Sequence, residues 1–369
     1  MKPRWSLVLG IGVITGLIMW GLSSPNLTVK GELPYFLWLW APILAWGVLI
    51  FLASADPRQW RRALASGGLI GLLTGYSLIM APGLSRIASD QYLDLMMTHL
   101  PLLAWIGVGI YVLGGAAKSQ DRWGWLIKSL EVAVVTGLFL MVLAVFAGVT
   151  QILFGTMAIV IPEAIHRLMI TMGLALGTMV AVGVTYNPRE KPSEQLKTTG
   201  LQALLALITR LFIPLVLVVL IIYCLMIPFN FMAAMEKREV LIAYNFLLLT
   251  VIGLLIGATP VKLTDIPPKI QVYLRLGMTA VAVLTALITV YALGATGYRT
   301  FLHDWTINRA AIMGWNVINV GVLIALIWKQ FKAGKTTWAE ALKQTWAKAM
   351  PWWGGWVIML MVVLPLVFR

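Results

Sequence analysis

Side chains equipped for chemistry are few in this sequence and lie far apart. Its three histidines, His99, His166 and His303, each have a carboxylate nearby in the chain: Asp94, Glu163 and Asp304. Imidazoles and carboxylates that converge on one face form the donor set of zinc and similar metals. The spacing Glu163-x-x-His166 puts two such ligands on one helical face, but it occurs once. A metal site in a helical bundle takes several such contributions, so no metal is expected. The plainer reading of all three is histidine at a membrane interface. The chain has one cysteine, Cys224, inside an apolar run, so disulfides play no part. No Ser-His-Asp order, nucleophile elbow, P-loop or H-E-x-x-H occurs, and no catalytic residue and no cofactor is expected.

The remaining candidates are polar groups set in hydrocarbon-like surroundings. Glu131 and Arg210 are ionisable residues within long apolar runs, each two or three turns from the end of its run. A pair between them is one reading, and contact of Glu131 with Lys128 another. Asn316 and Asn319 are three apart on one helical face, and Asn245 sits in an earlier run. Amides there need partners, either as glue between helices or as part of a wet substrate site. Arg299 and Arg309 flank a short turn and form a candidate external anion site.

The elements that must position these groups follow from composition. Sixty per cent of the residues are hydrophobic and 11% charged, against about a quarter charged in soluble domains. Lipid is therefore the main solvent, and no stretch between apolar runs is long enough for a soluble core. A membrane helix needs about 20 mostly apolar residues. Cutting wherever charge, Pro or Gly interrupts such runs gives eleven segments, beginning with a retained helix from Trp5 to Leu22 and ending at Pro351 to Phe368. The predicted fold is an all-α integral membrane protein, a polytopic bundle of about eleven transmembrane helices in a single domain, residues 1–369.

Charge tests those cuts. Of 28 Lys and Arg, nineteen fall in alternate loops that include the N-terminus and eight in the opposite set. The bias holds through every loop pair, which predicts a cytoplasmic N-terminus and an external C-terminus. The net charge of +14 is thus assigned to topology and anionic lipid, not to nucleic acid, for which no binding motif is present. All 17 tryptophans lie before Leu126 or after Asp304. They read as interfacial anchors, which places the outer helices of the bundle at the two ends of the chain.

Two stretches are irregular. From Thr150 to Arg167 the apolar run hardly stops, which fits a short surface helix or a re-entrant segment. In residues 331–350, Trp338, Ala341, Leu342, Thr345, Trp346, Ala349 and Met350 share one face and lysines crowd the rest. That pattern predicts an amphipathic helix on the cytoplasmic leaflet. The third to fifth segments resemble the ninth to eleventh in length and loop size, as a parallel repeat of residues 1–200 and 201–369 would produce. Small-residue pairs four apart, Gly12 with Gly16, Gly71 with Gly75, Gly173 with Gly177 and Gly253 with Gly257, predict close helix packing.

Ile213-Pro-Leu-Val-Leu-Val-Val-Leu-Ile-Ile-Tyr223, followed by Tyr298-Arg299 and Trp305-Thr-Ile-Asn-Arg309, resembles the bacterial multi-pass membrane family called domain of unknown function 4153. The likeness covers about residues 203–330. It implies residence in a bacterial membrane and no known activity. Without it, Thr306 is expected to cap the helix that follows, with Arg309 at the head groups or paired with Asp304.

The leading functional expectation is a non-enzymatic protein of the bacterial inner membrane, a scaffold or accessory component whose partners are membrane lipids and other membrane proteins. The alternative is a permease or lipid-handling transporter. A membrane-embedded enzyme acting on lipid or isoprenoid comes third, opposed by the lack of clustered acids, bases or metal ligands.

Overall fold

A computed structural model describes residues 5–29, 33–55, 59–115, 117–197, 200–303 and 305–368. It is almost wholly α-helical. The helices are α1 (Trp5–Leu22), α2 (Tyr35–Ala55), α3 (Trp60–Met80), α4 (Arg86–Leu113), α5 (Ser119–Thr156), α6 (Glu163–Thr185), α7 (Leu201–Met226), α8 (Ala233–Glu236), α9 (Arg238–Ala258), α10 (Pro268–Leu302), α11 (Ile307–Lys332) and α12 (Trp338–Val367). All but the one-turn α8 are long and apolar enough to cross a membrane, so eleven spans are present among the described residues. Thr28–Val29 and Leu33–Pro34 form a two-residue antiparallel ladder before α2.

The chain forms two compact units. The first holds residues 1–82, 93–117 and 128–195, and the second residues 83–92, 118–127 and 196–369. The main division falls at residues 195 and 196, and two ten-residue pieces, at and just before the starts of α4 and α5, are grouped with the second unit.

In the first unit α1 lies along α6, with α2 against both. Met19, Leu44 and Ala175 meet in that core. A Cβ on Gly12 or Gly16 would stand 2.8 Å from Leu176 Cδ2 or 2.7 Å from Met172 Sδ. Without lipid-excluding drive, such bare patches let helices approach closely enough for dispersion to hold them. The other side of α6 does the same: Gly173 and Gly177 receive Leu143 and Phe139 of α5. Gly75 and Gly253 meet nothing within 4 Å, Gly71 only the Trp46 ring at 3.9 Å, and at Gly257 it is Thr209 that fills the space.

In the second unit α10, α11 and α12 pack in sequence, while α7 and α9 lie against α10 and each other. Trp356 of α12 sits on Gly314 of α11, where a Cβ would come within 1.8 Å of the indole.

Three expectations are corrected. The stretch from Thr150 is neither a surface helix nor a re-entrant loop. No breaker lies before Gly155, so α5 continues to Thr156 and ends in a left-handed turn at Ala158 (φ 54°), where Ile159 N donates to Phe154 O. Residues 331–350 are not a separate surface helix, because α12 runs unbroken from Trp338 through Pro351. The face was read correctly but its cover is protein: Trp338, Leu342, Thr345, Trp346 and Ala349 are buried, and Trp346 Nε1 donates to Thr259 Oγ1.

The tryptophans, finally, do not mark the least buried helices, which among the described residues are α5 and α7. The most apolar stretch of α5 has no buried residue, and that of α7 is 11% buried. Trp38, Trp123, Trp338 and Trp346 lie inside, whereas Trp5, Trp60, Trp305, Trp328 and Trp352 are exposed. A protein interior can offer an indole N–H an acceptor that hydrocarbon lacks, as Leu93 O does for Trp38 and Thr259 Oγ1 for Trp346, although Trp123 Nε1 has none among the described residues. Leu- and Val-rich helices carry no such requirement.

Candidate functional site

The first pattern in the site is a clasp that recurs along the chain. In each case a basic residue in the first three turns of one span reaches carbonyls at the C-terminal end of the next span. Arg62 Nη1 of α3 lies 3.5 Å from Tyr111 O at the end of α4. Lys128 Nζ of α5 donates to Thr185 O, the last residue of α6, at 3.1 Å. Arg210 Nε of α7 donates to Ala258 O, the last residue of α9, at 3.3 Å. Arg275 Nη2 of α10 donates to Gln330 O and, at 2.8 Å, to Ala333 O, at the end of α11. Lys343 Nζ of α12 adds a bond to Val261 O, just beyond α9, at 2.7 Å. The last carbonyls of a helix lack internal partners and carry the negative end of its dipole. A cation from the neighbouring helix meets both needs.

This geometry locates the ionisable candidates. Glu131 binds Lys128 Nζ at 2.9 Å, one turn along the same helix, and both side chains are buried. Lys128 thus joins a carboxylate to a helix end. Arg210 serves the end of α9. Glu131 and Arg210 lie in different units, and each has a partner in its own.

The second pattern is a polar seam in the second unit. Asn319 stands about 18 Å of helix rise from Ile307 and about 20 Å from Lys332, the middle of α11. Its Oδ1 accepts from Trp353 Nε1 of α12 at 2.9 Å. Asn316, one turn earlier, is 1% exposed, and its Nδ2 has no acceptor among the described residues. Trp356 Nε1, on the facing helix, likewise has none. An unmet buried donor costs about 1–3 kcal/mol, so these groups favour a carbonyl, hydroxyl or water oxygen beside them. On α10, Thr285, Thr289 and Thr296 are buried but bond back to their own helix. Asn245 does the same, donating to Leu241 O at 2.8 Å.

His99 lies near the middle of helix α4. Because α4 begins at Arg86, His99 lies about 20 Å from one helix end and about 21 Å from the other. It is 5% exposed, with Nδ1 2.8 Å from Leu95 O and 3.0 Å from Thr98 Oγ1. A carbonyl only accepts, so Nδ1 carries the proton in that bond and Nε2 is the basic nitrogen. His166 is half-buried in the first turn of α6, where Glu163 turns to Arg167 at 3.7 Å, and Arg167 reaches Ser23 Oγ at 3.4 Å. His303 is the exposed C-cap of α10. No three His, Cys, Asp or Glu among the described residues are grouped to hold a metal.

Arg299 lies in the last turn of α10 and is half-buried, with no acceptor for Nη1 among the described residues. Arg309 is in the first turn of α11, where its backbone N–H donates to Thr306 Oγ1 at 3.4 Å, the cap expected from sequence. Asp304 lies outside the described residues, as do both chain termini.

Sequence reasoning missed Trp353, Trp356 and Gly314, and it treated Lys128, Arg62 and Arg275 as loop charges. A usable signal existed for the last three: each is the last basic residue before a long apolar run. No protein-family model, curated protein or solved structure matches this chain.

Proposed function

We propose that this multi-pass membrane protein is a non-catalytic scaffold or accessory component of a bacterial inner membrane. One observation carries the reading. Of the charges set within the spans, Lys128 is bound to Glu131 and to the end of α6, and Arg210 to the end of α9, as structural clasps rather than a relay. The uncovered apolar faces of α5 and α7 are where neighbouring membrane proteins would then dock. A cytoplasmic N-terminus, an external C-terminus and kinship with domain of unknown function 4153 belong to the same proposal, and reporters fused to the two termini test the orientation. The role is tested by photo-crosslinking residues placed at Leu138, Val145 and Ile152, all exposed on α5. Discrete protein adducts in native membranes are expected. Adducts to lipid alone at all three positions would sink the reading.

A permease or lipid-handling transporter is the second reading, favoured by Asn316 and its unmet donor near the middle of α11. Flux or lipid exchange in proteoliposomes that Asn316→Leu abolishes would decide for it.

A further inference from the structure

Two basic side chains at the α9–α12 end of the second unit already bind carbonyls. Arg275 closes α11, and Lys343 is held between Val261 O and Glu340, whose carboxylate is 3.5 Å away. Three lysines are differently placed. Lys329 and Lys332 lie in the last turn of α11, and Lys348 lies on α12. Lys329 and Lys332 stand three residues apart on α11, and α12, which carries Lys348, packs along that helix. Lys332 Nζ sits 4.4 Å from the centroid of the Trp328 ring, and that indole is 61% exposed. Like charges one turn apart on a helix repel, and an anion beside them reverses the sign of that term.

What lies beside the lysines selects the kind of anion. Val317, Ile324, Trp328 and Phe331 are all exposed and fall on one stripe of α11 at intervals of seven, four and three residues. The stripe leads from the lysines toward the middle of the helix, and the space beside Gly321 is open. A free phosphate has no use for such a track, whereas acyl chains do. Tryptophan belongs at the boundary between head group and acyl chain.

We propose that Lys329, Lys332 and Lys348, with Trp328 beneath them, form a binding site for the phosphate of an anionic glycerophospholipid, whose acyl chains lie along Val317, Ile324 and Phe331. The ammonium groups donate to the phosphodiester oxygens, and the indole shields the glycerol region from water. The site goes beyond the scaffold reading and does not depend on it, since a transporter would use an annular lipid equally.

The full-length protein in a neutral detergent is titrated with phosphatidylglycerol, phosphatidylcholine or inorganic phosphate, and bound lipid is counted by native mass spectrometry. Phosphatidylglycerol should bind more tightly than phosphatidylcholine, and added salt should weaken the preference. Each lysine near a membrane surface contributes about 1 kcal/mol toward anionic lipid, so the double variant K329Q/K348Q should bind phosphatidylglycerol roughly tenfold to thirtyfold more weakly. Without lipid the double variant should melt no lower than wild type, because the repulsion is gone. Single variants K348Q and K332Q give the same reading in smaller steps should the double variant not fold. Equal affinity for the two lipids in the wild type overturns the proposal. So does undiminished phosphatidylglycerol binding in the lysine variants. Competition by inorganic phosphate at equal concentration would show an anion site that is not a lipid site, and would overturn the assignment to lipid.

Discussion

The first unit brings helices together by leaving side chains out, and the second by giving polar side chains a partner. Along α1 and α6, Gly12, Gly16 and Gly183 open grooves for Leu176, Met172 and Val8, so the contact is dispersion between close-set backbones. Between α11 and α12 one glycine, Gly314, serves the same end, but around it Asn319 accepts from Trp353, and Gln330 Nε2 donates to Trp338 O at 3.0 Å. A glycine groove is satisfied by any apolar partner and carries no unmet group. An amide–indole seam specifies its partner and leaves donors such as Asn316 Nδ2 available to a guest. The contrast places adaptability and any polar ligand in the second unit, and tight permanent packing in the first.

The exception inside the first unit is its ion pair, and it should give the largest effect. Glu131→Leu leaves Lys128 buried beside Thr185 O alone, at a cost of about 3–5 kcal/mol. The double variant Lys128→Met/Glu131→Leu should recover most of that loss in thermal or denaturant unfolding. A double variant no better than the single one would mean that the clasp, not the pair, is what matters.

Next comes the glycine comparison itself. Gly314→Ala drives a methyl into the Trp356 ring and should cost about 1–3 kcal/mol. Gly16→Ala should fall in the same range, since Met172 Cα lies 3.1 Å from the new methyl and cannot swing away. Gly10→Ala, with open space around it, should be neutral or slightly stabilising. If Gly10 and Gly16 respond alike, the groove between α1 and α6 is not what holds the first unit.

Asn319→Leu removes the acceptor of the Trp353 indole and should cost on the order of 1 kcal/mol, the scale of a hydrogen bond between membrane helices. Arg275→Gln should cost about 0.5–1 kcal/mol by opening the end of α11 and should raise backbone hydrogen exchange near Gln330 to Ala333. The smallest change has the opposite sign. Ala158→Gly relieves a left-handed residue after α5 and should stabilise by about 0.5–1 kcal/mol.

Much of this architecture was legible from residue order. The number of spans, the glycine grooves at Gly12, Gly16, Gly173 and Gly177, the Thr306 cap and the apolar face of residues 338–350 all depend on spacing along one helix. What spacing could not show was which surface meets a given face. The α12 face that reads as a lipid-binding stripe is covered by protein, because burial of Trp346 against Thr259 and burial in lipid demand the same side chains. Nor did spacing show where α4 starts: the helix runs from Arg86 through the exposed Asp90 and Asp94, well before the apolar run that holds His99.

Read alone, the chain determines that hydrocarbon surrounds most of it, because apolar runs of this length have no other stable solvent. It determines too which loops hold the basic residues. Only the tertiary structure decided what those cations touch. Arg62, Lys128, Arg210 and Arg275 each lie 48 to 58 residues from the carbonyl they reach. A helix end offers its dipole to any cation within a few ångströms, so the choice depends on where folding sets the neighbouring helix.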